Sequence, residues 1–103
     1  MKIRLFCNAG MSTSLLVEKM KEAAKAEGLD ADIVAYPLNE LDRHIEGIDV
    51  ALLGPQVGYQ KKKSKQIADK HNVPLDVISM TDYGRINGKA VLEQAKKLIF
   101  SKR

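Results

Sequence analysis

Cys7 is the only cysteine in the chain, and the seven residues after it are Asn8-Ala9-Gly10-Met11-Ser12-Thr13-Ser14. Small residues with Gly10 among them let a backbone curl until several N–H groups converge on one point. Ser12, Thr13 and Ser14 add hydroxyl donors. A helix starting at the end of this run adds the partial positive charge of its N-terminus. That setting holds an anion and lowers the pKa of a neighbouring thiol, and thiolate is the nucleophilic form. A thiolate beside a phosphate cradle implies a phosphocysteine intermediate. Each feature also has a purely structural explanation. A lone cysteine ending a strand is commonly a core residue, and hydroxyl residues at a helix start commonly cap it. Their coincidence in one turn without bulky side chains favours the chemical reading.

The elements around the turn must place it beyond the carboxyl end of a sheet strand. Apolar runs at 2–6, 31–36, 50–53 and 75–79 read as strands, rich in Ile, Val and Leu as expected when both faces are covered. Residues 14–27, 38–44, 56–71 and 88–100 read as helices. The first puts Leu16, Met20, Ala23 and Ala24 on one stripe, with Gly28 at its stop. The third closes at Asn72, before Val73-Pro74. The fourth places Val91, Leu92, Ala95, Leu98 and Ile99 on one face.

Strand and helix therefore alternate through residues 1–103, read as one domain. The expected fold is α/β, a four-stranded parallel sheet with helices on both faces. The strand order is 2-1-3-4, the flavodoxin-like pattern. In that order the switch point lies beyond strand 1, where ligands bind, and Cys7 stands there.

Composition narrows the partners. The 103 residues are 45% hydrophobic and 29% charged, a globular balance with enough apolar residues for a core without disulfides. The free thiol suits a reducing compartment. No secretory signal is visible, since the apolar start is short and broken by Arg4. No run approaches the roughly 18 apolar residues of a membrane span, so direct membrane insertion is not expected. The net charge of +4 is a mild excess that does not by itself indicate nucleic acid. The run Lys61-Lys62-Lys63-Ser64-Lys65 reads as a solvated helix face, with docking of an acidic partner as its functional alternative. His44 and His71 lack metal-ligand spacing, so neither a metal site nor another cofactor is expected.

The run Leu5-Phe6-Cys7-Asn8-Ala9-Gly10-Met11-Ser12-Thr13-Ser14-Leu15-Leu16 resembles the signature of lactose/cellobiose-type enzyme IIB of the bacterial phosphoenolpyruvate-dependent sugar phosphotransferase system. Leu52-Leu53-Gly54-Pro55-Gln56-Val57 and Asp82-Tyr83-Gly84-Arg85-Ile86-Asn87-Gly88 resemble two further stretches of that family. The resemblance spans essentially the whole chain. It implies that Cys7 is the phosphocysteine and residues 8–14 the phosphate loop. It also implies a relay in the cytoplasm, transiently at the inner face of the membrane. A phosphohistidine on a IIA protein donates to Cys7, and Cys7 donates to a sugar held by the membrane permease IIC. The Met11-Ser12-Thr13-Ser14 version looks closer to cellobiose and diacetylchitobiose members, a β-glucoside type of substrate. Gln56, after strand 3, is a candidate polar contact of the site. Tyr83, one strand further out, is a candidate for the docking surface. A relay that exchanges partners is expected to be monomeric.

The nearest rival is a phosphoester hydrolase like low-molecular-weight phosphotyrosine phosphatase, which also uses a cysteine and an anion loop after strand 1. That family carries Arg six residues after the cysteine. Here that position is Thr13, so the bidentate fork that captures phosphate and stabilises its transfer is missing. A receiver-like binding module would need acidic residues at the strand ends, and strand 1 ends in Cys7. A thiol redox role would need a resolving cysteine, and the chain has none.

Overall fold

In the first strand, β1 (Lys2–Cys7), side chains alternate between the two faces of the sheet. Ile3 and Leu5 join a cluster with Leu16, Val17 and Met20 on one side. Phe6 joins Leu41, Ile45 and Ala68 on the other. The structure, a computed structural model, describes residues 1–8 and 11–101, with the side chains of all of these except Met11 and Ser12.

The elements follow as α1 (Met11–Ala26), β2 (Asp32–Pro37), α2 (Leu41–His44), β3 (Val50–Leu53), α3 (Lys61–Lys70), β4 (Leu75–Val77), α4 (Met80–Gly84) and α5 (Gly88–Ser101). The four strands pair in parallel in the order β2-β1-β3-β4, as expected. Helices α1 and α5 pack on the Ile3 face, and α2 and α3 on the Phe6 face. Each face is thus covered, and β1, at the centre of the sheet, is buried from Ile3 to Cys7.

Arg4 interrupts the apolar run without breaking it. Its Nη1 donates to the Asp32 carbonyl at 2.7 Å and its Nη2 to the Asp32 carboxylate at 3.0 Å, on the neighbouring edge strand. Hydrogen bonding from Arg4, reinforced by its charge, holds the Asp32 carboxyl below its usual value of 3.8.

Helix ends explain much of the chain's punctuation. Leu29 N–H bonds the Ala24 carbonyl at 2.9 Å and Gly28 N–H that of Lys25 at 3.1 Å. Gly28 takes φ +69°. This is a Schellman closure of α1, at the stop the sequence predicts. Asn72 repeats the device after α3 with φ +58°. Helices α1 and α5 cross closely at Gly88, where an added Cβ would lie 2.3 Å from the carbonyl carbon of Lys19.

Three expectations need correction. Helix α1 begins at Met11, not at 14, so Thr13 lies on the helix rather than in the turn before it. The predicted helix over 56–71 is two pieces. A 3-10 segment, Pro55–Gln60, kinks at Val57 (φ −111°, ψ 16°) before α3 begins. Finally, β4 stops at Val77, because Ser79 leaves the sheet to cap α4. Its Oγ accepts from Asp82 N–H at 3.1 Å.

Candidate functional site

Cys7 is the last residue of β1, in register with Pro37 of β2. On the other side, Gly54 follows β3 and donates its N–H to the Phe6 carbonyl at 2.9 Å. Gly54 must be small. A Cβ there would stand 2.8 Å from Cys7 Cβ and 3.1 Å from Gln56 Oε1. Real carbon pairs rest at about 3.5–4.0 Å, so the glycine is what lets the two strand ends close beside the sulfur. Cys7 is 4% exposed, yet it belongs to neither apolar cluster.

The polar partner of the sulfur comes from α1. Cys7 Sγ lies 2.9 Å from Thr13 Oγ1, and Thr13 Oγ1 lies 2.6 Å from the Tyr83 hydroxyl. Thr13 and Tyr83 are 3% and 8% exposed. Residues far apart in sequence thus form a buried chain of sulfur and two hydroxyls, spanning the end of β1, the first turn of α1, and α4. The first-turn N–H groups of a helix lack intrahelical acceptors, and α1 starts four residues after Cys7. A thiol, a hydroxyl and a helix N-terminus meet at the carboxyl end of a central strand.

The other expected residues distribute as follows. Asn8 and Ser14 are exposed. Ala9 and Gly10 lie outside the described residues, as do the side chains of Met11 and Ser12, whose backbone opens α1. Gln56 is exposed, with its carbonyl oxygen turned toward the Gly54 Cα beside Cys7. Tyr83 is not on the surface where docking was expected. It belongs to the core cluster on the α1–α5 side and reaches the site directly. Helix α4 accounts for this, since only two residues separate it from the end of β4 and it leads Tyr83 back to the first turn of α1. The signal was present in the sequence: Ser79 followed three residues later by Asp82 is a helix-start pattern.

The thiol itself is covered. Cys7 is closed in between Pro37, Gly54 and Thr13. The open space lies next door, in a groove of about 400 Å³ bordered by Asn8, Leu38, Asn39, Tyr59 and Lys63. The lysine run is exposed at Lys61, Lys62, Lys63 and Lys65, with Ser64 facing inward. Two of these lysines pair with carboxylates, Lys61 with Asp76 at 3.2 Å and Lys65 with Asp69 at 3.6 Å. His71 is exposed. His44 is partly covered instead, stacked on Tyr36 at 3.5 Å and 3.2 Å from Glu40. Among the described residues no group of His, Cys, Asp and Glu has the arrangement to hold a metal ion, and no helix is long and apolar enough to cross a membrane.

Comparison with known proteins agrees with this architecture. The family model for the lactose/cellobiose-specific IIB subunit of the phosphotransferase system matches residues 2–94. The oligo-beta-mannoside-specific EIIB component of Bacillus subtilis is 42% identical over 98 residues, 95% of either chain. The galactose-specific EIIB component of Lactococcus lactis subsp. cremoris is 45% identical over 102 residues, 94% of either chain. The solution structure of the cellobiose-specific IIB component of Borrelia burgdorferi superposes with a TM-score of 0.83. It is 37% identical, and the match covers 99% of this chain and 94% of that one. Match, identity and topology converge, and the chain belongs to the lactose/cellobiose-specific IIB family of sugar phosphotransferase components.

Proposed function

We propose that Cys7 is the residue that carries the phosphoryl group. The observation behind this reading is the sulfur's position. It ends a central strand, 2.9 Å from the Thr13 hydroxyl, before the first turn of α1, where a helix's N–H groups lack intrahelical acceptors. In the first step the P–N bond of a phosphohistidine on a IIA protein breaks, the S–P bond forms, and the histidine nitrogen keeps the bonding pair. In the second step the S–P bond breaks and an O–P bond forms to a hydroxyl of a sugar held by the IIC permease. The sugar's proton passes to solvent or to a base of the partner, and the thiolate is regenerated. Both steps take place on the cytoplasmic side of the membrane, with the chain as a monomer that docks each partner in turn. Residues 8–14 supply the phosphate-binding backbone, and Gln56 lies within reach of its edge.

The relatives' names cover β-mannoside, galactose and cellobiose. We assign a β-glucoside such as cellobiose or diacetylchitobiose here, on the Met11-Ser12-Thr13-Ser14 sequence. Dephosphorylation of the loaded protein by IIC membranes with each sugar in turn tests that assignment. Fastest loss with galactose or a mannoside would refute it. Hydrolysis of free phosphoesters is not favoured. The position where a phosphatase carries its arginine is Thr13, which is buried and already hydrogen-bonded to the sulfur.

Intact mass after incubation with phosphoenolpyruvate, the general phosphotransfer proteins and a IIA protein tests the carrier role. One added phosphoryl group is expected on the wild type and none on Cys7→Ser. A labelled Cys7→Ser variant would place the phosphoryl group on another residue.

A further inference from the structure

The hydroxyl chain behind the sulfur has a direction that the carrier chemistry must choose. A hydroxyl owns one proton and two lone pairs. If the Thr13 proton points to Tyr83, only lone pairs of Oγ1 face the sulfur. That arrangement suits a thiol, whose S–H can donate. If instead Tyr83 donates its phenolic proton to Thr13 Oγ1, the Thr13 proton is free to point at the sulfur. That arrangement suits a thiolate, which only accepts, and equally a phosphorylated sulfur, whose oxygens accept. The phenol, the more acidic hydroxyl, makes the second direction the easier one. The Thr13–Tyr83 separation of 2.6 Å lies at the short end for an O–H···O bond, and the pair is buried, so water competes little for either proton.

We infer that Tyr83 is a positioning residue that aims the Thr13 hydroxyl at Cys7 and so favours the anionic and phosphorylated forms of that sulfur over the thiol. The inference rests on the phosphocysteine reading for its role in transfer, but its effect on the free thiolate stands apart from that reading. Tyr83 itself does not touch the sulfur; it acts through Thr13. Its ring packs in the α1–α5 core cluster, which fixes where the hydroxyl stands. Phe can occupy the same place without the proton.

Four variants test this: Tyr83→Phe, Thr13→Val, the double variant, and Thr13→Ser, which keeps a hydroxyl. Iodoacetamide alkylation of Cys7 at fixed neutral pH reads the thiolate without any partner protein. Single-turnover labelling from phosphorylated IIA, over a range of IIA concentrations, separates the rate constant from the half-saturating concentration. Losing the buried bond that fixes the Thr13 proton should slow alkylation and labelling about three- to tenfold in Tyr83→Phe. The half-saturating IIA concentration should not change. Thr13→Val should be slowed at least as much, and adding Tyr83→Phe to it should cost nothing further, because the two hydroxyls act as one chain. Thr13→Ser should retain most of the rate.

Additive losses in the double variant, or unchanged alkylation in Tyr83→Phe, would overturn the inference. A change only in the half-saturating concentration would make Tyr83 a docking residue and overturn it as well. If Tyr83→Phe does not fold by circular dichroism, Thr13→Val against Thr13→Ser carries the test on its own. Equal alkylation of those two would refute the hydroxyl chain. If Cys7→Ser still accepts phosphate while Tyr83→Phe slows alkylation, the carrier reading fails and the hydroxyl chain stands.

Discussion

Gly54→Ala places a methyl carbon 2.8 Å from Cys7 Cβ and 3.7 Å from Cys7 Cα. Against an ordinary carbon–carbon separation of about 3.5–4.0 Å the first distance is short by roughly 0.7–1.2 Å. Neither partner can swing away, since both Cβ atoms are bonded directly to backbone. That backbone is itself tied by the 2.9 Å bond from Gly54 N–H to the Phe6 carbonyl. The conformation at Gly54 (φ −62°, ψ 149°) is open to alanine, so the whole cost is steric. Overpacking of this kind costs about 1–3 kcal/mol. For a domain of this size that is a fall of roughly 4–24 °C in Tm. Displacing Cys7 also disturbs its 2.9 Å contact with Thr13, so labelling by IIA should slow even where the protein is still folded. Thermal melts by circular dichroism and timed intact-mass labelling read the two effects. Gly84→Ala is the control: no atom lies within 4 Å of its added Cβ. It sits in α4, where alanine should be neutral or favourable by up to about 1 kcal/mol. A Gly54→Ala protein that melts with the Gly84→Ala protein and labels at the wild-type rate would refute the close-approach argument.

Gly88→Ala should be harsher, because its Cβ would meet the main chain of α1, 2.3 Å from the Lys19 carbonyl carbon and 2.5 Å from Met20 N. A loss at or above the upper end of the ~1–3 kcal/mol overpacking range is expected in urea unfolding, and a midpoint equal to wild type would contradict it. Asp32→Asn tests the Arg4 pair through pH. The folded carboxyl titrates below its usual 3.8, so its contribution is complete above that value and disappears as pH falls through the lower, folded value. Wild type should therefore be the more stable at neutral pH, and the two melting curves should converge in strong acid. A gap that persisted there would mean that the charge on Asp32 is not what stabilises the pair.

The sheet was legible because each strand is a short apolar run between turn residues, and parallel order follows from the alternation with helices. Gly28 and Asn72 were legible as helix stops for a local reason, since a left-handed residue is needed wherever a Schellman closure forms. The segment 56–71 was read as one helix because its composition favours helix throughout. The kink at Val57 comes from tertiary burial of that side chain, which is 1% exposed and which local pattern does not encode. At the candidate site, the place of Cys7 at the end of β1 was legible, but Thr13 appeared as only one of three similar hydroxyl residues. What distinguishes it is its place in the first turn of α1, directed at the sulfur. Tyr83 does follow β4, one strand beyond β3, yet its side chain reaches back to Thr13. Strand order alone says nothing of a short helix turning back, and only the Ser79–Asp82 cap announces it.

The closure of the sulfur has a consequence for how the protein is made. Thr13 and Tyr83 meet across 70 residues of sequence, and a ribosome delivers them in that order. Cys7 emerges before Gly54, and Tyr83 follows later still. Throughout synthesis the thiol is therefore open to oxidants and electrophiles from which the finished fold shields it. Nascent chains arrested before Tyr83 should react with a thiol-directed dye far faster than the released protein, so that vulnerability to such damage is greatest during translation.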